Sequence, residues 1–422
     1  MPAPGGGARE RSVQQTEAKA PQLPPQAPRR LLPGFGGRRA GASRARAGKE
    51  AGSAAERGRG RSRARVRGSR GGLRFPLGCG LMQAFVTRRI PREGLAALSQ
   101  AGVCSIQQWD SDEPIPRSEL LAGVAGKHGL LCVLSDQIDK EVLDAAGSNL
   151  KIISTLSVGV DHLALEEIKK RGIRVGYTPD ILTDATAELS VALLLAACRR
   201  LPESVEEVKN GGWTTWKPLW MCGYGLSGST VGIIGLGRIG QAVAHRLKPF
   251  GVKKFLYTGS RPKPENAMEF QAEFVPLAKL AKESDFVVVT CSLTPDTKGV
   301  CNKDFFSRMK KTSVFINTSR GAVVNQEDLY QALVSGQIAA AGLDVTTPEP
   351  LPTDHPLLSL KNCELLKYQT HLACSHDTNK RKDVLELAFT FILSLDQKHL
   401  ALLFTGEAIA STANRLWFVE MM

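Results

Sequence analysis

Short apolar runs alternate with stretches of helical periodicity from Gln83 onward, the pattern of parallel strands joined by crossover helices. Strands are expected at 84–87, 129–135, 151–155 and 174–177, with helices at 92–101, 140–146 and 162–171 between them. A long helix over 183–201 follows. Its wide apolar face (Leu189, Val191, Leu193, Leu194, Leu195) reads as core. A second alternating unit then places strands at 231–234, 253–258, 285–290, 312–317 and 339–344. The fold class expected is α/β, built from two parallel sheets. No internal repeat is visible beyond the two similar units.

The most specific stretch is Val231-Gly-Ile-Ile-Gly-Leu-Gly-Arg-Ile-Gly240, where an apolar strand runs straight into Gly-x-Gly-x-x-Gly and a helix over 238–248. Gly235 permits the tight turn, Gly237 lets backbone approach a pyrophosphate, and Gly240 lets helix and strand pack closely. The first N–H groups of the helix, at Arg238 and Ile239, then face the phosphates. A lone glycine pattern is weak evidence. Strand before and helix after make this one a dinucleotide site, and both domains are expected to be Rossmann-like and doubly wound, with a cleft between them.

In an open parallel sheet, ligands bind outside the carboxyl ends of the strands. After the second strand of this unit stands Thr258-Gly-Ser-Arg-Pro-Lys263. An NAD-preferring site wants a carboxylate there for the ribose 2′-hydroxyl. Ser260, Arg261, Pro262 and Lys263 suit a 2′-phosphate instead, so NADPH is inferred, with NAD(H) as the alternative. A solvated basic loop is the bland alternative. After the third strand comes Thr290-Cys-Ser-Leu-Thr-Pro295 with Ser292, after the fourth Asn317-Thr-Ser-Arg-Gly321 with Thr318, and after the fifth Asp344. Arg320, at a strand end beside a nicotinamide site, can hold a small carboxylate or polarise a carbonyl. Elsewhere an Arg before Gly would as readily be a solvated turn. Glu349 lies in a Pro-Glu-Pro, by itself a rigid surface turn.

Composition changes the picture in one respect. The formal net charge of +14 belongs entirely to residues 1–80, which hold 18 of the 55 Lys+Arg and 4 of the 41 Asp+Glu (18 − 4 = 14), leaving 37 of each sign elsewhere. The folded part therefore gives no electrostatic argument for nucleic acid. The tail, with Arg57-Gly-Arg-Gly-Arg-Ser-Arg-Ala-Arg-Val-Arg67, has too few apolar residues to offset folding entropy and reads as disordered. Three functions compete for it: electrostatic RNA binding, mitochondrial targeting, or an upstream extension of the reading frame ahead of Met82. Nine scattered cysteines without a C-x-x-C pair suit a reducing compartment and argue against disulfides or zinc. The longest wholly apolar run, 191–198, falls far short of a bilayer span. A soluble, cytoplasmic protein is expected unless the tail redirects it.

The motifs Ser157-Val-Gly-Val-Asp-His162, Gly232–Gly240, Ile316-Asn-Thr-Ser-Arg-Gly321 and Gly342-Leu-Asp-Val-Thr-Thr-Pro-Glu-Pro350 together resemble the D-2-hydroxyacid dehydrogenase family over residues 83–363. That resemblance implies NADPH-dependent reduction of small 2-keto acids, glyoxylate and hydroxypyruvate. It implies that the backbone amides of Val158 and Gly159 hold the substrate carboxylate and that Arg320 orients the keto acid. Ser292 and Asp344 would line the nicotinamide region, and Glu349 would pair with a catalytic histidine. The segment Gly211-Gly-Trp-Thr-Thr-Trp-Lys-Pro-Leu-Trp220 resembles the family's dimer loop and implies a homodimer; its three tryptophans alone suggest a buried interface. The expected domains are a tail at 1–82, a substrate domain at 83–182, an NADP-binding domain at 183–363, and a divergent segment at 364–422.

The resemblance breaks after Cys363. The family places a Pro-His pair after the last strand, whereas spacing from Glu349 puts Tyr368 where the histidine would stand, within Glu364-Leu-Leu-Lys-Tyr-Gln-Thr-His-Leu-Ala-Cys374. The remaining chain offers a helix over 383–395 and an apolar end, without periodicity showing that it completes the substrate domain. A variant terminal exon or shifted frame is the expected origin. His371 and His376 read as solvated rather than as substitutes. Losing a general acid costs about a hundred- to ten-thousandfold in rate. The competing functions are thus an impaired nucleotide-binding pseudoenzyme, dimerising with active subunits, and a dinucleotide-sensing corepressor of the same fold.

Overall fold

The computed structural model describes residues 82–100, 104–180 and 182–367, all within one compact unit, Phe75–Met422. The expected tail up to Leu81, Tyr368, His371, His376 and the helix at 383–395 lie outside the described residues.

The first sheet holds β1 (Met82–Val86), β2 (Cys104–Gln108), β3 (Gly129–Cys132), β4 (Ile152–Thr155) and β5 (Arg174–Gly176) in the order β2-β1-β3-β4-β5, every pairing parallel. Helices α1 (Arg92–Gln100), α2 (Arg117–Val124), α3 (Lys140–Ala146) and α4 (Leu165–Lys170) supply the crossovers that parallel neighbours need. The chain then runs through α5 (Thr183–Cys198) and α6 (Leu201–Lys209).

The second sheet takes its strands and helices in chain order as β6 (Thr230–Ile234), α7 (Arg238–Leu247), β7 (Lys254–Thr258), α8 (Pro264–Ala267), β8 (Glu273–Phe274), α9 (Leu277–Glu283), β9 (Phe286–Val289), α10 (Lys303–Arg308), β10 (Val314–Asn317), α11 (Gln326–Val334), β11 (Ala340–Leu343) and β12 (Cys363–Leu365). Spatially the order is β12-β11-β10-β9-β6-β7-β8. The order reverses beside β6, so the glycine turn sits at the switch point where such sheets bind ligands.

Alternation along each strand sends side chains to two separate cores. Val231, Ile233, Val288, Val314 and Ile316 pack with α5 and α7 residues on one face. Ile234, Val287, Val289 and Phe315 pack with Leu280, Phe305 and Leu329 on the other. With both faces covered, the strands read as continuous apolar runs. Each fully buried side chain of this kind contributes about 1.5–3 kcal/mol over leaving it exposed.

Four features differ from the sequence expectation. The helix expected over 162–171 begins only at Leu165, because the backbone of His162 and Ala164 is engaged with Ile138 (2.9 Å each way). The helix expected over 183–201 ends at Cys198, with Arg200 left-handed at φ 53°. Pro202 has no N–H to give to the Cys198 carbonyl, which accepts from the Tyr224 amide instead (2.8 Å). Three strands gave no apolar signal: β2 is half-exposed and glutamine-rich, β8 is a two-residue edge, and β12 carries Glu364. β12 extends the second sheet to Leu365, two residues past the boundary expected at 363.

Candidate active site

The glycine turn is built as its spacing demands. Gly235 has φ 99°, and a Cβ there would lie 2.7 Å from the Cys291 backbone. A Cβ at Gly240 would lie 2.5 Å from the Gly235 carbonyl oxygen, so α7 could not approach β6 with any larger residue. Gly237 is different. Among the described residues, nothing lies within 4 Å of the position a Cβ would occupy, and Gly237 begins α7 with no side-chain cap. The open N–H groups of the first turn, at Arg238 and Ile239, and the space above Gly237 fit a pyrophosphate. The Arg238 guanidinium itself pairs with Asp180, from the loop after β5 (3.0 Å).

Neighbouring strand ends are stitched to this turn. Thr290 Oγ1 donates to the Gly235 carbonyl (2.7 Å), and Asn266 Nδ2 donates to the Leu236 carbonyl (3.0 Å). The basic loop after β7 is anchored by the Lys263 amide on the Tyr257 hydroxyl (2.9 Å), while Ser260, Arg261 and Pro262 are exposed. Among the described residues, neither Arg261 nor Lys263 is in an ion pair through its side chain, which leaves two cations for an anionic ligand group. Ser292 is exposed, its carbonyl accepting from Thr297 Oγ1 (2.8 Å). Ser190 gives its proton to the Thr186 carbonyl (2.8 Å), so Thr318 donates to Ser190 (2.7 Å) and ties β10 to α5. Asp344 is buried at the end of β11, its amide on the Asn317 carbonyl (3.0 Å).

The loop after β10 reaches the first sheet. Arg320 Nε contacts both oxygens of Asp161 (3.2 and 3.3 Å), and its Nη1 donates to the Ser319 carbonyl (2.9 Å). Its Nη2 lies over Gly159, where a Cβ would collide with it. Gly321 packs so tightly on Thr346 that a Cβ would strike that carbonyl. Among the described residues, no acceptor meets the amides of Val158 and Gly159. Two amides without an acceptor among the described residues thus lie next to a guanidinium, the kind of donors a carboxylate takes. Beneath them His162 is buried, and desolvation depresses its pKa to about 4, so it is neutral at physiological pH.

Glu349 is exposed, and its Oε1 accepts from Lys367 Nζ (2.5 Å). The carboxylate expected to pair with a histidine thus has a lysine partner, from the position where proline was expected. Sequence reasoning gave no role to Asp161, Asp180 or Asn266. Asp161 stood inside a quoted motif, but its partner is 159 residues away in sequence and left no local signal.

The comparisons agree with this geometry. Residues 191–373 match the model of the "D-isomer specific 2-hydroxyacid dehydrogenase, NAD binding domain". The chain is 74% identical over 288 residues to the glyoxylate reductase/hydroxypyruvate reductase of Homo sapiens, covering 68% of this chain and 88% of that protein. Among solved structures, the TT0316 protein of Thermus thermophilus superposes with a TM-score of 0.66 at 39% identity, over 74% of this chain and 97% of that one. An NADPH-dependent glyoxylate/hydroxypyruvate reductase of Sinorhizobium meliloti, in complex with NADP and malonate, gives 0.61 at 27% identity, over 74% and 92%. With a relative this similar over two thirds of the chain and most of its own length, the chain belongs to the D-isomer-specific 2-hydroxyacid dehydrogenase family.

Proposed function

We propose that this site binds NADPH in preference to NADH, together with a small 2-keto acid such as glyoxylate or hydroxypyruvate, and supports its reduction to the D-2-hydroxy acid. The observation that carries this reading is the Arg320 guanidinium lying over Gly159, beside the amides of Val158 and Gly159 that meet no acceptor among the described residues. Gly235, Gly237, Arg238, Ile239 and Gly240 would cradle the pyrophosphate. Ser260, Arg261, Pro262 and Lys263 would take the 2′-phosphate, with Ser292, Thr318 and Asp344 along the nicotinamide side. A bound dinucleotide would supply the hydride for the carbonyl carbon, and the alkoxide oxygen would take its proton from water, because no imidazole stands at Glu349 among the described residues. Arg320 orients the keto acid and stabilises the charge that develops on its oxygen. NADP and malonate in the Sinorhizobium relative, and the substrates named for the human one, support the assignment.

A second reading is favoured by one observation. With Glu349 neutralised by Lys367, no imidazole is paired with that carboxylate among the described residues. The chain is then a nucleotide-binding subunit with impaired turnover, joining a second copy through the exposed Trp213, Trp216 and Leu219 beside Leu201, Val205 and Val208.

The test is fluorescence titration of the full chain with NADPH and NADH, followed by NADPH oxidation with hydroxypyruvate. Tighter binding of NADPH is expected, with turnover about a hundred- to ten-thousandfold below the roughly 10 s⁻¹ of a median enzyme. A folded chain that binds neither dinucleotide would overturn both readings.

A further inference from the structure

We infer that Ser157, Thr155 and His162 are positioning residues: a buried relay of directed hydrogen bonds that locks the turn over 158–160, with its amides facing a ligand carboxylate, and fixes His162 as the Nε2–H tautomer. The relay's role in ligand binding rests on the carboxylate site proposed above. Its existence does not.

The proton order follows from what each group can do. Ser157 Oγ lies 2.6 Å from the Gly159 carbonyl, which can only accept, so the serine proton is committed there. Thr155 Oγ1, 2.9 Å from Ser157 Oγ, must then donate to it. Having spent its one proton, Thr155 can only accept from His162 Nε2 at 2.9 Å. The ring proton therefore sits on Nε2. His162 Nδ1 is buried without a partner among the described residues, as suits a bare lone pair rather than an orphaned N–H.

Nothing nearby disturbs that order. Ser157 and Thr155 have no exposed surface and His162 is 4% exposed, so water does not compete. Burial pushes the Cys132 thiol beside Thr155 far up, so no thiolate draws the threonine proton. Desolvation disfavours the His162 imidazolium and Arg320 acts in the same sense, together outweighing Asp161 and Asp136, which favour it.

The relay acts on the turn through peptide planarity. Holding the Gly159 carbonyl on Ser157 points the N–H of the same peptide, that of Val160, away from the buried hydroxyl. Val160, like Val158 and Gly159, has no acceptor for its amide among the described residues. The Val160 donor is thus set before any ligand arrives, next in sequence to the amides of Val158 and Gly159 and with Arg320 over Gly159. Such preorganisation lowers the cost of binding a carboxylate.

Two measurements on the full chain test this. The ¹⁵N spectrum of His162, assigned by its loss in His162→Gln, should show a protonated Nε2 and a bare Nδ1 from about pH 5.5 to 8, above the depressed pKa. An Nδ1–H tautomer or an imidazolium at neutral pH would overturn the relay. Oxalate, a two-carbon dicarboxylate, is then titrated into the NADPH complex. Ser157→Ala, Thr155→Val and His162→Leu should each weaken oxalate about tenfold or more, the effect of one lost buried hydrogen bond, with NADPH affinity unchanged. His162→Gln, whose amide can still donate to Thr155, should retain wild-type affinity. Equal weakening of NADPH, or no rescue by glutamine, would mean a merely structural role. If Thr155→Val does not fold, Ser157→Ala carries the same comparison. A wild-type chain that binds NADPH but not oxalate would remove the proposed carboxylate site, and the ¹⁵N spectrum would still decide the relay.

Discussion

Two buried polar regions, one in each sheet, show opposite solutions to the same problem. At the end of β4 and in the loop after it, Thr155, Ser157 and His162 pass hydrogen bonds from one to the next, so burial costs little and holds a turn in one shape. In β12, Glu364 is 9% exposed, with no hydrogen-bond or ion-pair partner for its side chain among the described residues. It lines a cavity of about 320 Å³ with Glu203, Arg200 and Lys361. Arg200 is committed to Glu203 (2.7 Å) and Lys361 leans toward Glu207 (3.8 Å). Desolvation, then Glu203, pushes the Glu364 carboxyl up to about 7. Burial of polar groups is therefore neither stabilising nor destabilising in itself; the partner decides. The family model matches through residue 373, so this strand lies inside the matched region. Three residues on, Lys367 takes Glu349.

The largest effect expected from repairing the second region is on rate. Lys367→Pro combined with Tyr368→His frees Glu349 and returns an imidazole to its expected place. Turnover of hydroxypyruvate should rise about a hundred- to ten-thousandfold. A folded double variant without gain would mean that an imidazole at Glu349 does not limit turnover.

The next effect is on stability, and its sign separates the regions. A Glu364 carboxyl near 7 when folded, against 4.5 unfolded, keeps its proton in the folded state between those values. Stability contributed by the neutral acid is thus full below about 4.5 and falls as pH rises to 7. Glu364→Gln should raise stability at about pH 8 by an amount on the order of 2 kcal/mol and leave it unchanged near pH 4. Denaturant unfolding at the two pH values checks this, and equal shifts at both would contradict it.

His162 behaves in the opposite sense. Its folded pKa of about 4 lies below the ordinary 6.5, so the unfolded chain takes the proton first. Stability is full above 6.5 and is lost as pH falls toward 4. His162→Gln should flatten that acid limb, a smaller change because many carboxylates titrate over the same range. An unchanged slope of unfolding free energy between pH 6.5 and 4 would contradict it.

Much of this protein was legible from local pattern. A strand's two-residue period and a glycine turn's φ requirement are properties of a few consecutive residues, so β6, the Gly235–Gly240 turn and the strand ends carrying Thr318, Arg320 and Asp344 stood out directly. The α/β class and the split of charge between tail and body followed the same way. Edge strands were harder. β2 and β8 bury little, and β12 carries a charge that apolar pattern excludes.

Tertiary structure decided the rest, because partners distant in sequence leave no periodicity. Arg320 meets Asp161 across 159 residues, Thr318 meets Ser190 across 128, and Arg238 turns from the phosphate turn to Asp180. The absence of a Pro-His pair was visible in the sequence. That a lysine would occupy Glu349 was not, since only the parallel pairing of β11 with β12 brings those two loops side by side.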